Sequence, residues 1–219
     1  MQAVETTLDD GTRLRIRPIR PDDKERLVRG FERLSPQSRY RRFFRHIDHL
    51  TDRQLAYLTE VDGHDHVAWI ATLPDEPGEP GVGVARWVRL RDDPEVAEAA
   101  VTVIDAYHNR GIGRRLLLVA AASAIERGVS AFRVSVMADN QPMIQLLKEL
   151  GATGGRWESG VLELTVPLAG DLDGEHPVPA ILRAVAQGRV QGWSRLPDEP
   201  GTLLGDPSLG EVTSWAQRP

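Results

Sequence analysis

The 219-residue chain contains no cysteine, which excludes disulfides, thiolate metal sites and thiol nucleophiles and suits a reducing cytoplasm. It also lacks any long greasy run: the longest, Leu116 to Ile125, falls far short of the ~20 residues that a bilayer-spanning helix needs. The opening stretch, MQAVETTLDD, is acidic and has no apolar centre, so it does not read as a secretory signal. Aromatic residues make up only 5% of the chain. A basic excess is missing too, because 27 basic residues face 32 acidic ones for a net charge of -5. That balance opposes broad electrostatic capture of nucleic acid or an anionic membrane, so an anionic ligand must find a local basic patch. What is present is ordinary globular material, 41% hydrophobic and 27% charged, enough for a buried core. At roughly 150 residues per domain, the length fits one globular unit with an appendage.

Hydrophobic period divides the chain. Arg13 to Arg17 alternates as a half-buried strand, and Pro18 and Pro21 close it. Leu27, Val28, Phe31 and Leu34 then fall at helical spacing, a second helical segment spans Ser38 to His46, and Thr51 with Gln54 forms a capping box that starts a third helix to Thr59. Val67 to Leu73 and Val82 to Leu90 read as a hairpin, with Pro77 and Gly78 suited to a type II turn. Ala97 to Ile104 is a more apolar strand. An apolar helix from about Arg114 to Arg127, a strand from Ala131 to Met137, a helix from Gln141 to Leu150 and a strand from Val161 to Val166 complete the pattern. The order predicts an α/β chain, a mixed sheet with helices on its faces.

After Leu168 the composition shifts to Pro, Gly and acidic residues. The expected organisation is therefore one domain over residues 1–168 and a C-terminal extension over 169–219, in which only Pro179 to Gln187 keeps a helical pattern. The hexapeptide LPDEPG occurs from Leu73 and again from Leu196, and both copies read as turn chemistry rather than as a repeat architecture.

The informative constellation is a strand followed by Tyr107, His108, Asn109, Arg110, Gly111, Ile112, Gly113, Arg114 and Arg115, and then an apolar helix. Glycines at this junction allow a tight turn whose NH groups point outward at a helix N-terminus, a cradle for phosphate. Arg110, Arg114 and Arg115 break the usual preference for acidic residues there, a conflict that an anionic ligand relieves. The alternative is a solvated turn with incidental arginines. A nucleotide P-loop requires Lys and then Ser or Thr after its second glycine, and the dinucleotide fingerprint requires a third glycine where Leu116 stands, so neither matches.

These residues resemble the signature of the GNAT superfamily of N-acetyltransferases. Arg110, Gly111, Ile112 and Gly113 fit it, and His108 stands where Gln or Arg is usual. GTRLRIRPIRPDD, LSPQSRYRRFF and AEAAVTVIDAYHNRGIG extend the similarity over most of residues 11 to 168, toward the catalytic domain of bacterial Pat-type protein lysine acetyltransferases. The resemblance implies the GNAT fold. It also implies acetyl-CoA as acetyl donor, without a metal, in a cleft between the strand ending near Val103 and the one starting near Ala131. Pyrophosphate would lie on the NH groups from Asn109 to Arg114, pantetheine and thioester on the main chain of Val101 and Val103, and Asn140 would approach the cofactor. The implied acceptor is an amine, most plausibly a protein lysine, with no nucleic-acid or membrane partner and with a homodimer left open. No nucleotide-sensing or synthetase-like domain accompanies these residues, so regulation of that kind is not implied.

An ammonium must lose a proton before its nitrogen attacks a thioester, which calls for a base. Glu98 matches the acidic residue of the AEFAVVV-like stretch of Pat-type enzymes; Glu95 and Asp105 are alternatives, and a solvent-facing strand Glu is the bland reading. Many GNAT enzymes protonate the leaving thiolate with a tyrosine at the position Leu147 occupies here, so solvent or another group must serve. SRYRRFFRH could pass for an RNA-binding stripe, but Tyr40, Phe43 and Phe44 share a helical face and read as core aromatics under a basic surface. His64 and His66 lack a third ligand and read as loop residues. The two rivals to lysine acetylation are acetylation of a small amine and a catalytically silent acyl-CoA-binding module.

Overall fold

Alternating apolar residues force one face of each strand inward, and eight strands here share a single mixed sheet. The computed structural model describes residues 1–168. In chain order the elements are β1 (Val4–Thr7), β2 (Arg13–Pro18), α1 (Lys24–Glu32), α2 (Pro36–Phe43), α3 (Asp52–Thr59), β3 (His66–Thr72), β4 (Gly81–Arg89), β5 (Val96–Val103), α4 (Ile112–Ile125), β6 (Ala131–Met137), α5 (Gln141–Glu149), β7 (Thr153–Glu158) and β8 (Val161–Pro167). The spatial order is β1-β2-β3-β4-β5-β6-β8-β7. Every neighbouring pair is antiparallel except β5 and β6, which run parallel and are joined by α4.

The expected elements are present, with two additions. β1 pairs with β2 ahead of the first expected strand, and β7 forms the far edge on β8. All six residues of β7, TGGRWE, are exposed, so no alternation marks them, and the pairing slips between Thr153 and Arg156. The helix expected from Ser38 to His46 starts earlier and stops at Phe43, because Phe44 turns left-handed (φ 52°) and caps it. Phe43 is buried against Phe31, edge to face at 5.9 Å, whereas Tyr40 and Phe44 are half-buried. Thr51 and Gln54 form the reciprocal capping box read from the sequence. The expected helix over Pro179 to Gln187 lies outside the described residues.

α4 is buried on nearly all sides, from Ile112 and Leu116 through Ala124, because it packs across β3, β4 and β5. Two tryptophans on that sheet face settle its depth. Trp69 and Trp87 each donate an indole NH to the hydroxyl of Ser123, at 3.1 and 2.9 Å, and that hydroxyl donates to the Ala120 carbonyl at 2.7 Å. One oxygen thus satisfies three buried groups. On the opposite face, α1 to α3 cover Ile19, Ile70, Phe31 and Phe43.

Replacing Ser123 by Ala strands two buried donors, each costing about 1–3 kcal/mol. Urea unfolding should therefore show Ser123→Ala destabilised by roughly 2–4 kcal/mol. A loss below about 1 kcal/mol would mean that the indoles find other acceptors.

Candidate active site

The cleft originates where β5 and β6 part. Their parallel pairing covers only Val96, Ala97 and Glu98, opposite Ala131, Phe132 and Arg133. From Ala99 onward β5 keeps its β4 partner while β6 keeps only β8. The register shows which main-chain groups this exposes. Leu90 NH donates to the Val96 carbonyl and Ile104 NH to the Val82 carbonyl, each at 2.9 Å, so the even-numbered residues of β5 exchange bonds with β4. The NH and carbonyl groups of Ala99, Val101 and Val103 consequently point toward the gap. Val101 and Val103 line the resulting cleft of about 670 Å³. The Val103 carbonyl is already taken, since His108 Nε2 donates to it at 2.8 Å.

At the wide end of the gap, Asn109 (φ 58°) and Gly111 (φ 73°) are both left-handed and swing the chain into α4. Gly111 is the N-cap and supplies no side chain, so the NH groups of Ile112, Gly113 and Arg114 precede the first helical bond, Arg115 NH to the Gly111 carbonyl. Those three residues, with His108, Asn109 and Gly111, line the cleft. β4 admits the helix this closely because Gly83 lies beneath it: a Cβ there would stand 2.9 Å from Leu116 Cδ1 and 3.0 Å from the Thr102 carbonyl oxygen.

Of the three arginines read as an anion-seeking cluster, the structure places one in the cleft. Arg110 is a correction, because its side chain turns away, bonded to Asp10 (Nε to Oδ2, 2.9 Å) and Thr12 (2.8 Å), and does not line the cavity. Thr12 and Arg110 hold the Asp10 carboxyl down at about 2, so Asp10 is ionised at neutral pH. Arg115 reaches Asp9 at 3.6 Å. Arg114 lines the cleft and has no ion-pair partner among the described residues. The expected charge conflict at the helix start is thus answered in part by the acidic β1–β2 turn.

The opposite wall comes from α5 and α2. Asn140 is the N-cap of α5 and faces the cleft with Met143 and Leu146. Leu147 is wholly buried in the main core, so that helix position offers no proton donor. From α2 come Ser38, Arg41 and Arg42, and Arg41 bridges to Asp139 at 2.8 Å across the cleft.

Glu98 sits at the apex of the gap, opposite Arg133 in the last paired position. Only 8% exposed, it is not the solvent-facing strand residue of the bland reading. Ala97 and Ala99 belong to the core under α4, so alternation puts Glu98, Ala100 and Thr102 on the α1–α3 face. Glu98 does not line the main cleft, and its Cα stands about 13 Å along the strand from that of Thr102, which does. Asp105 is a poor base. Burial pushes its carboxyl up, but the Ser35 NH (2.9 Å) and the hydroxyls of Ser35 and Ser38 (2.7 Å each) outweigh that and hold it below the ordinary carboxylate range. Asp105 instead ties the start of α2 to the cradle loop. Glu95 is exposed in the loop before β5.

The comparisons with known proteins agree with this geometry. The acetyltransferase (GNAT) family model matches residues 24–152. The chain belongs to the GNAT family. It is 38% identical over 154 residues to Acetyltransferase Pat of Mycolicibacterium smegmatis, covering 69% of this chain and 45% of that protein, so it spans less than half of that relative. Acetyltransferase PA5475 of Pseudomonas aeruginosa is 30% identical over 150 residues, 68% of this chain and 80% of that one. Among solved structures, the GNAT domain of S. lividans PAT superposes with a TM-score of 0.69 at 33% identity, over 75% of this chain and 96% of that one.

Two polar residues differ from their sequence reading: Arg42 is not confined to a solvated surface, and His66 is the first residue of β3 rather than a loop residue. Arg42, read as part of a solvated basic face, lines the cleft. His66 is no ligand: it packs on Tyr57, bonds Arg86 at 2.9 Å, and burial with the Arg86 charge pushes it down to about 3. The loop before it is held by Asp62, which accepts the NH groups of His64, Asp65 and His66.

The Asp105 anchor carries a pH signature. A carboxyl held below its ordinary 3.8 stabilises the fold above that value and loses the contribution as pH falls through its lower folded value. The melting temperature of Asp105→Asn should therefore lie below the parent's by a constant gap above about pH 5, and the gap should narrow below about pH 4. A gap that stays constant into acid would show that the carboxylate charge is not what holds α2.

Proposed function

We propose that residues 1–168 form the catalytic unit of an acetyl-CoA-dependent N-acetyltransferase whose acceptor is an amine, the side chain of a protein lysine. The observation that carries the reading is the continuity of one cleft from the unpartnered NH groups at the start of α4 to the main chain of Val101 and Val103. In this reading the pyrophosphate takes the NH groups from Asn109 to Arg114, with the Arg114 charge beside it and Asn140 across the cleft. Arg110 contributes through its main chain, while its side chain braces the loop. Pantetheine lies along β5 as a substitute strand, bonded by the outward-facing groups of Val101 and Val103. The acyl carbonyl then points toward the apex, where Glu98 stands. The lysine acceptor is supported by the likeness to Pat-type relatives.

Transfer is direct. Glu98 takes the ammonium proton, itself or through one water; the amine nitrogen attacks the thioester carbonyl; the C–S bond breaks as the C–N bond is kept; the nitrogen gives its second proton to solvent; and the thiolate takes a proton from solvent, because Leu147 offers none. A β5 NH facing the gap stabilises the oxyanion, an effect typically worth ~2.7 to 4 kcal/mol. The buried Leu147 is also the observation that favours the second reading, a silent acyl-CoA-binding module.

Two substitutions separate these roles. Glu98→Gln keeps shape and removes the charge, so turnover should fall about 10² to 10⁴ fold at neutral pH with acetyl-CoA affinity nearly intact. An unchanged rate on a genuine acceptor would remove Glu98 from the mechanism. Gly111→Val places a branched residue at φ 73° and should abolish acetyl-CoA binding by calorimetry in a protein that remains folded. Near-normal affinity in that variant would remove the cradle, and a parent protein that binds acetyl-CoA yet acetylates nothing would favour the silent module.

A further inference from the structure

A second cavity lies on the α1–α3 face of the sheet, about 80 Å³ in volume, and it meets the main cleft at Thr102 and Arg42, which line both. Its walls are apolar, built from Leu27, Phe31, Phe43, Ile70 and Val84 among others. Three guanidinium groups interrupt them: Arg26, Arg42 and Arg86. Arg26 lies 3.3 Å from Asp23, a carboxylate it shares with Arg17, and donates to the Glu79 carbonyl at 3.0 Å. Arg86 is different. It is only 6% exposed, no carboxylate among the described residues forms an ion pair with it, and its Nε is buried without any hydrogen-bond partner. Its other nitrogens bond the Leu58 carbonyl at 3.1 Å and His66 Nε2 at 2.9 Å, both neutral groups. Burial, and then the Arg42 charge, push Arg86 down to about 9, which still leaves it cationic at neutral pH.

A buried cation without a counter-ion is costly to maintain, and its cost is recovered only by an anion that enters. The acceptor amine is not that occupant, since its own positive charge is repelled by Arg86. The volume also exceeds the needs of an acetyl methyl, because one water takes roughly 10–15 Å³ on the same measure. In the β4–β5 register Arg86 faces Ala100, and Val84 faces Thr102. A diagonal of this kind spans about 7–8 Å, and the small Ala100 leaves that path open. Apolar walls followed by a cation match methylene groups that end in a carboxylate.

We infer that this cavity is a subsite for the ω-carboxylate of a short dicarboxylic acyl group, of the succinyl class, carried on CoA, and that Arg86 is its specificity-determining residue. The inference rests on the cofactor placement proposed above and adds a second acyl donor to it. The chemistry is unchanged: Glu98 takes the ammonium proton, the amine nitrogen bonds to the thioester carbonyl, the C–S bond breaks, the nitrogen gives its second proton to solvent, and the departing CoA thiolate takes a proton from solvent. The product is an amide that bears a carboxylate, which reverses the charge of the acceptor.

Calorimetry on the full chain with unreactive analogues, in which a methylene replaces the thioester sulfur, tests the subsite without an acceptor. The acetyl, butyryl and succinyl forms are compared. The expected result is a succinyl analogue bound at least as tightly as the butyryl one, with Arg86→Met lowering the succinyl-to-butyryl affinity ratio by about 10² fold and Arg86→Lys restoring part of it. Tighter butyryl binding by the parent protein overturns the subsite, and so does a ratio that Arg86→Met leaves unchanged in a folded variant. Should Arg86→Met fail to fold, the parent ratio alone decides. Failure of all three analogues to bind defeats the cofactor placement itself, whereas binding of the acetyl form with rejection of the succinyl form defeats only the subsite.

Discussion

The parting of β5 from β6 after Glu98 and Arg133 is the constraint on which the rest of the molecule depends. A strand in the middle of a sheet normally satisfies both edges, and an unpaired buried main-chain group costs about as much as a lost hydrogen bond. β5 satisfies its β4 edge and, among the described residues, has no strand partner on the other from Ala99 to Val103, where the sheet splits into a cleft. A ligand that presents amide groups along an extended chain would answer that demand. The His108 ring already answers one part of it, at the Val103 carbonyl.

The two faces of the sheet serve different ends. Under α4 the packing is dry and aliphatic, centred on the tryptophan pair that shares Ser123. This rigid face fixes the start of α4, and with it the cradle, against the glycine of β4. On the α1–α3 face charge penetrates deeply. Arg17 and Asp23 form a buried bidentate pair at 2.6 and 2.7 Å, while Arg86 is held by neutral acceptors. The first is internally balanced, and the second leaves a cation beside the region where the acyl group would arrive.

Electrostatics around the cleft are local, which reconciles a net charge of -5 with an anionic cofactor. The β1–β2 turn spends Asp9 and Asp10 on Arg115 and Arg110, Asp139 takes Arg41, and Arg114 forms no ion pair among the described residues. Asp105 and Asp139 each tie α2 to the rest of the cleft, through Ser35 and Arg41.

Local patterns were enough to locate most of this architecture. Alternation in RLRIR, the capping box at Thr51 and Gln54, the apolar run of α4 and the Asn109 to Arg114 turn are all set by neighbours a few residues apart, and the sequence carries them openly. The resemblance to GNAT enzymes then supplied Glu98, Val101, Val103 and Asn140. β1 and β7 escaped because edge strands with solvent on their exposed positions need no apolar alternation. Three features were decided by tertiary structure alone: Arg110 turning toward Asp10, the burial of Glu98 at the apex, and the solitary charge of Arg86. Each depends on residues between 20 and 100 positions away, or on which strand edge loses its partner. Sequence period fixes the face to which a side chain points, but only the assembled sheet determines what waits there.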